Sequence, residues 1–211
     1  MRITAQLIDA TTGYHLWAER YDRHLEDIFA VQDEVTQKIV LALKVQLTEG
    51  ERQRFGRPLT SNIKAYDYYL RGCDLQKQTR QETNLLAEQM FSHAIALDPQ
   101  FAAAHAYLGF VYFDRWTMGW SADQQTLEKA LAFARAAVAR DPSLPDGHRL
   151  LGVILLWHGE HSLAISEVEQ AIALDPNQAD AYATLGSILN FTGRPEETVG
   201  LIQKAMRLNP Q

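Results

Sequence analysis

The chain has 211 residues, enough for one large domain or two small ones, and a 46% share of hydrophobic residues can fill a core. Its formal charge of −6, with no run of lysine and arginine interleaved with aromatics, argues against direct nucleic-acid binding. The single cysteine, Cys73, excludes an internal disulfide, and the longest apolar run, residues 150–157, is far short of the roughly 18 residues a membrane span needs. With no basic-then-apolar secretory pattern at the N-terminus, a cytoplasmic location is expected.

Residues 2–8 alternate in polarity, residues 9–13 are rich in turn formers, and Tyr14 to Tyr21 is aromatic-rich, which predicts a β-hairpin. A lone two-stranded hairpin is marginal in water, so either more sheet precedes it or something else covers it. Leu25, Ile28, Val35, Ile39, Ala42 and Gln46 follow a spacing of three and four, predicting an amphipathic helix over about 25–48. The charged stretch from Glu49 to Ser61, with Gly50, Gly56 and Pro58, reads as a linker. The stretch ITAQLIDATTGYHLWAERYD (residues 3–22), followed by LEDIFAVQDE (25–34), resembles the end of a TolB-like segment of bacterial multidomain signalling proteins. In that family the segment precedes a helical repeat array. It follows either a class III adenylate/guanylate cyclase domain or a winged-helix DNA-binding domain, and the resemblance supplies neither of these within these residues. The expected division is residues 1–24 as a hairpin left from a TolB-like domain, 25–57 as helix and linker, and 58–211 as the repeat domain.

The rest of the chain is built on a recurring hexapeptide: AIALDP (94–99), AVARDP (137–142), AIALDP (171–176) and AMRLNP (205–210). Its prolines, Pro99, Pro142, Pro176 and Pro210, are 43, 34 and 34 residues apart, a period that signals stacked helical pairs. Gly152 and Gly186 each follow a leucine and stand 24 residues before a closing proline. Ala164 stands 12 before, and Ala94, Ala137, Ala171 and Ala205 stand five before. This pattern resembles the tetratricopeptide repeat (TPR), which implies a mostly α solenoid of about four helical hairpins. Small residues let the two helices of a pair approach closely, and the proline ends the second helix.

The repeats are expected at about 62–99, 101–142, 144–176 and 178–210. From Gly72 to Ala87 is three residues more than the regular twelve, predicting an enlarged turn near Thr79 to Thr83. From Gly109 to Ala130 is nine more, a surplus that includes residues 115–120. Gly159 and Gly193 mark the turns of the last two repeats, and Pro195 suits the first turn of a helix.

No nucleophile with its base, phosphate loop or metal set stands out, so the chain is expected to be non-catalytic and to need no cofactor. His158 and His161 flank the Gly159 turn, which loses the one-face spacing of a metal motif. Paired acids such as Glu196 and Glu197 sit at expected helix starts, where negative charge is favourable. By resemblance to TPR proteins, ligand-facing positions in each first helix lie three before and one, four and five after the crossing glycine. They are Tyr69, Cys73, Gln76 and Lys77, then Ala106, Phe110, Phe113 and Asp114. In the last two repeats they are Arg149, Val153, Leu156 and Trp157, then Ala183, Ser187, Asn190 and Phe191. This mostly aromatic and apolar lining departs from the carboxylate clamp of chaperone-binding TPRs, for which Arg149 and Asn190 alone are suited. A partner-binding groove formed by Tyr69, Phe110, Phe113, Arg149, Trp157, Asn190 and Phe191 is one reading of the stripe. Burial against a neighbouring helix, or against the chain's own N-terminal segment, is the other. The expected function is protein or peptide binding. The alternative is self-association into a homodimer, through the N-terminal hairpin and helix or the last repeat, to regulate an attached cyclase or transcription-regulator domain.

Overall fold

A computed structural model describes residues 2–9, 12–22, 28–42, 58–121 and 123–210. It divides into two compact units, residues 1–63 and 64–211. In the first unit, strands β1 (Arg2–Ile8) and β2 (His15–Asp22) pair antiparallel, with Ile3 opposite Tyr21 and Leu7 opposite Trp17. Gly13 takes the left-handed conformation in the connection (φ 72°). The alternation turns Ile3, Ala5 and Leu7 to one face. Helix α1 (Ile28–Ala42) contacts β2, burying Val31 and Tyr21, and Lys38 reaches the Glu19 carboxylate and the Tyr21 ring face. The hairpin therefore has a helix against it, which supplies the burial that two strands lack by themselves. The expected helix ends at 25–27 and 43–48, and most of the expected linker, lie outside the described residues.

The second unit is four helical hairpins. They are α2 (Ile63–Gln76) with α3 (Gln81–Leu97), α4 (Ala102–Thr117) with α5 (Gln124–Arg140), α6 (Pro145–Trp157) with α7 (His161–Leu174), and α8 (Ala179–Phe191) with α9 (Pro195–Leu208). The hexapeptide folds the same way each time. The residue before proline is barred from helical conformation, so Asp98, Asp141, Asp175 and Asn209 all cap their helices extended, at φ between −136° and −142°. Each cap N–H donates to the hexapeptide's alanine carbonyl at 2.9 Å. The Asp98, Asp141 and Asp175 carboxylates accept from the backbone N–H two residues on, an Asx turn that redirects the chain into the next hairpin. His105, His148 and Tyr182 then bond the carbonyls of Pro99, Pro142 and Pro176, each six residues back.

Close approach within a hairpin requires the crossing glycines. A Cβ on Gly152 would stand 2.4 Å from Val168 Cγ2 and 2.8 Å from the Ala164 carbonyl oxygen. On Gly72 it would meet the Phe91 ring at 2.6 Å, and on Gly109 Phe133 Cβ of its own hairpin at 3.2 Å and Leu150 of the next hairpin at 2.4 Å. Ala87, Ala130 and Ala164 are wholly buried at the facing positions, and Thr198 stands opposite Gly186.

The enlarged repeats depart from expectation. The surplus of repeat 1 is not a loop over 79–83: α3 already begins at Gln81 and is 17 residues long, against 14 for α7 and α9. Thr79 sits two residues before the second helix, where Gly159 and Gly193 sit in the regular repeats, and it takes their positive φ (49°). The surplus of repeat 2 is shared among three places. α4 has 16 residues against 13 in α6 and α8, α5 has 17, and the turn occupies residues 118–123. Three residues are close to one helical turn, so a helix absorbs them without greatly rotating its buried face.

The two lengthened helices are tied together. Arg115, near the end of α4, donates to Asn84 Oδ1 (3.0 Å) in the first turn of α3 and to Glu88 Oε2 (2.6 Å) one turn further on. Tyr112 donates to the other Glu88 oxygen (2.6 Å), and Asn84 donates to the Val111 carbonyl (2.9 Å). Burial would raise the Glu88 pKa, but the Tyr112 hydroxyl and Arg115 outweigh it, so the carboxyl lies below its ordinary value. The same contact pushes the Tyr112 phenol up to about 12, after burial as the larger cause.

Candidate functional site

In each pair the first helix carries the variable polar and aromatic positions, and α2, α4, α6 and α8 together line one cavity of about 410 Å³. Its walls are Cys73 and Gln76 from α2 and Lys77 just after it, Tyr107, Phe110 and Asp114 from α4, Arg149 from α6 and Asp180 from α8. Six of these eight fall on the offsets chosen from the sequence. Tyr107 and Asp180 do not. A signal for Asp180 was present, because it stands six before the crossing glycine as Asp146 does, one helical turn from the Arg149 register.

The stripe of expected groove residues splits by depth. Tyr69 is only 8% exposed, packed among Phe91, Phe101 and Tyr107 with ring centroids 5.0–5.9 Å away, so it serves the core. Phe110 is 7% exposed, and the Arg149 guanidinium lies over its ring at 4.2 Å. Phe113 and Trp116 are half-buried and 6.4 Å apart, Trp157 meets Trp116 edge-on at 5.0 Å, and Phe191 follows at 5.9 Å. Trp157 is 47% and Phe191 65% exposed, so this aromatic ladder rises out of the core towards repeat 4. Asn190 is exposed beside it.

The polar groups of the cavity are unevenly satisfied. Arg149 donates to Asp146 (3.0 Å), which also accepts from the Gln178 amide (2.9 Å). Lys77 pairs with Asp74 at 3.3 Å in open solvent. Asp114 accepts one bond, from the Gln76 amide at 3.0 Å, and burial raises its pKa despite that bond and nearby Arg149. Burial also pushes the Cys73 thiol up to about 11, which leaves little thiolate at neutral pH. His158 and His161 lie on either side of the Gly159 turn, and His158 Nε2 is 3.9 Å from Glu128. The arrangement offers apolar area, two carboxylates and hydrogen-bonding groups, a surface suited to holding a side chain.

Comparison with solved structures gives a TPR protein of Thermus thermophilus, TTC0263, with a TM-score of 0.58. The two are 19% identical, and the match covers 88% of this chain and 91% of that one. The fold is a tetratricopeptide-repeat solenoid. MamA of Desulfovibrio magneticus RS-1 aligns with a TM-score of 0.49 at 17% identity, over 88% of this chain and 95% of the other. No family model matches the chain. Among curated proteins, the chain is 45% identical over 158 residues to a Rhizobium meliloti (strain 1021) protein named "Putative adenylate cyclase 3". That match takes in 74% of this TPR chain but 27% of the relative's length.

Proposed function

We propose that this chain is a protein-interaction module, without catalysis of its own, that holds a segment of a partner protein in the groove of its first helices. The observation that carries this reading is the cavity to which all four first helices contribute, together with the exposed aromatics Trp157 and Phe191. Aromatic side chains bury much area at small rotamer cost, and interface hot spots favour tryptophan, tyrosine and arginine. The relative's name supports a signalling setting inside the cell, in which this module regulates a nucleotide cyclase located elsewhere in a longer protein. The hairpin unit then stands where the resemblance to a TolB-like segment puts it, ahead of the repeats. Among the described residues no helix is long and apolar enough to cross a membrane.

The test is retention of fluorescein-labelled random nonapeptides by the immobilised chain. Trp157→Ala combined with Phe113→Ala should abolish retention, and unchanged retention would remove the groove from consideration. The chain alone should form no cyclic AMP from ATP.

A second reading, self-association, draws on the apolar side chains that α9 exposes, Val199 at 59% and Met206 at 65%. Light scattering at rising concentration decides it, and a constant monomer mass would end it.

A further inference from the structure

The cations of the cavity are already engaged: Arg149 by the Asp146 carboxylate and the Phe110 ring, and Lys77 by Asp74. Its anions are less fully matched, with Arg149 near Asp114 but bonded to Asp146. Asp114 has one neutral donor, the Gln76 amide, and Asp180, exposed in the first turn of α8, has no ion pair among the described residues. Asp146 adds a third carboxylate close by, which already accepts from Arg149 and from the Gln178 amide. A buried carboxylate short of donors is stabilised by an incoming cation, whereas an incoming carboxylate would be repelled and leave Asp114 worse off. Trp116, Trp157 and Phe191 form an apolar ladder at the C-terminal ends of α4, α6 and α8, with Phe191 about 16 Å along α8 from Asp180 and 65% exposed.

We propose that the groove selects a partner segment carrying a basic side chain, which seats on Asp114 and Asp180, with a bulky apolar side chain several residues along the segment laid against Trp157 and Phe191. This rests on the groove reading above and narrows it to one ligand chemistry. The seat works by charge complementarity. An arginine or lysine brings the donors that Asp114 lacks, and its aliphatic stem lies along the apolar wall. The aromatic ladder supplies contact area without sign preference, so the carboxylates decide the sequence read and the ladder decides how tightly it is held.

The probe is three pools of labelled nonapeptides, random except for a central arginine, alanine or glutamate, applied to the full 211-residue chain. The arginine pool should be retained about tenfold more than the glutamate pool. Because a chain of net charge −6 attracts any basic peptide, a matched control is needed. Asp114→Asn with Asp180→Asn should erase the preference, while Glu82→Gln with Glu196→Gln, an equal charge change at exposed positions on α3 and α9, should leave it. Asp180→Lys, at an exposed position, should lower arginine-pool retention with the circular dichroism spectrum unchanged. Equal retention of all three pools, or an equal loss in both double variants, overturns the basic seat and leaves the groove standing. Retention of no pool above a blank surface overturns both.

Discussion

Repeats 1 and 2 and repeats 3 and 4 solve the same packing problem differently. In the last two the helices are 13 or 14 residues long, the turns are closed by Gly159 and Gly193, and the Gly152 crossing is backbone against backbone. In the first two the second helices reach 17 residues, Gly72 faces a phenylalanine ring, and α3 and α4 are tied by Arg115, Glu88 and Asn84. The groove divides along the same line: position five after the crossing glycine is Lys77 and Asp114 in the first half, Trp157 and Phe191 in the second. Regular repeats get their order from tight apolar crossings, and insertions are tolerated where the added residues find polar partners.

The sharpest way to break that contrast is at the tightest crossing. Gly152→Val should cost about 3 kcal/mol, because the Ala164 backbone oxygen 2.8 Å from the new Cβ cannot move aside as a side chain does. Gly186→Ala, whose Cβ would meet only side-chain atoms at 3.2 Å or more, should cost well under half of that. Urea unfolding of both compares them, and equal losses would show that the crossing is not the constraint.

Next comes the polar tie. Glu88→Ala leaves Tyr112 without its acceptor and Arg115 with Asn84 alone, and should cost about 2 kcal/mol. A double-mutant cycle with Arg115→Ala should show coupling of about 1 kcal/mol, and strict additivity would mean the contact carries no shared energy. Smaller still is the turn. Thr79→Gly should stabilise by about 1 kcal/mol, since a β-branched residue is strained at φ 49°. Gly159→Ala, at φ 77°, should destabilise by a similar amount, about 1 kcal/mol. Thermal melts check the pair, and the same sign for both would contradict the assignment of strain.

The last concerns pH. Asp114's pKa is raised by burial above the unfolded value, so its contribution favours the fold at low pH. That contribution is lost as pH rises from the unfolded value through the folded one. Asp114→Asn should therefore be more stable than the parent at pH 7, with the advantage fading as pH falls through the raised folded value and gone below about 4. A constant difference across that range would show that the side chain does not titrate as described.

The repeat fold was legible because Gly72, Gly109, Gly152 and Gly186 and the closing prolines report backbone requirements that hold wherever the hairpin occurs. Spacing counts residues without saying whether they are helix or turn, which is why the repeat 1 surplus was misplaced to 79–83. Depth was equally hidden. Tyr69 and Trp157 occupy groove offsets in the sequence, but Phe101 and Tyr107 close over one and solvent remains beside the other. The tie between Arg115 and Glu88 spans 27 residues across two hairpins, and no local pattern announces it.

The central claim, that the first helices form the binding surface, is tested most directly by intermolecular NOEs to the best-retained arginine-pool peptide. Contacts to the Trp157 indole, the Phe191 ring and the α4 residues around Asp114 are the predicted result. Contacts confined to second-helix side chains such as Leu163 and Met206, or to the hairpin, would contradict it.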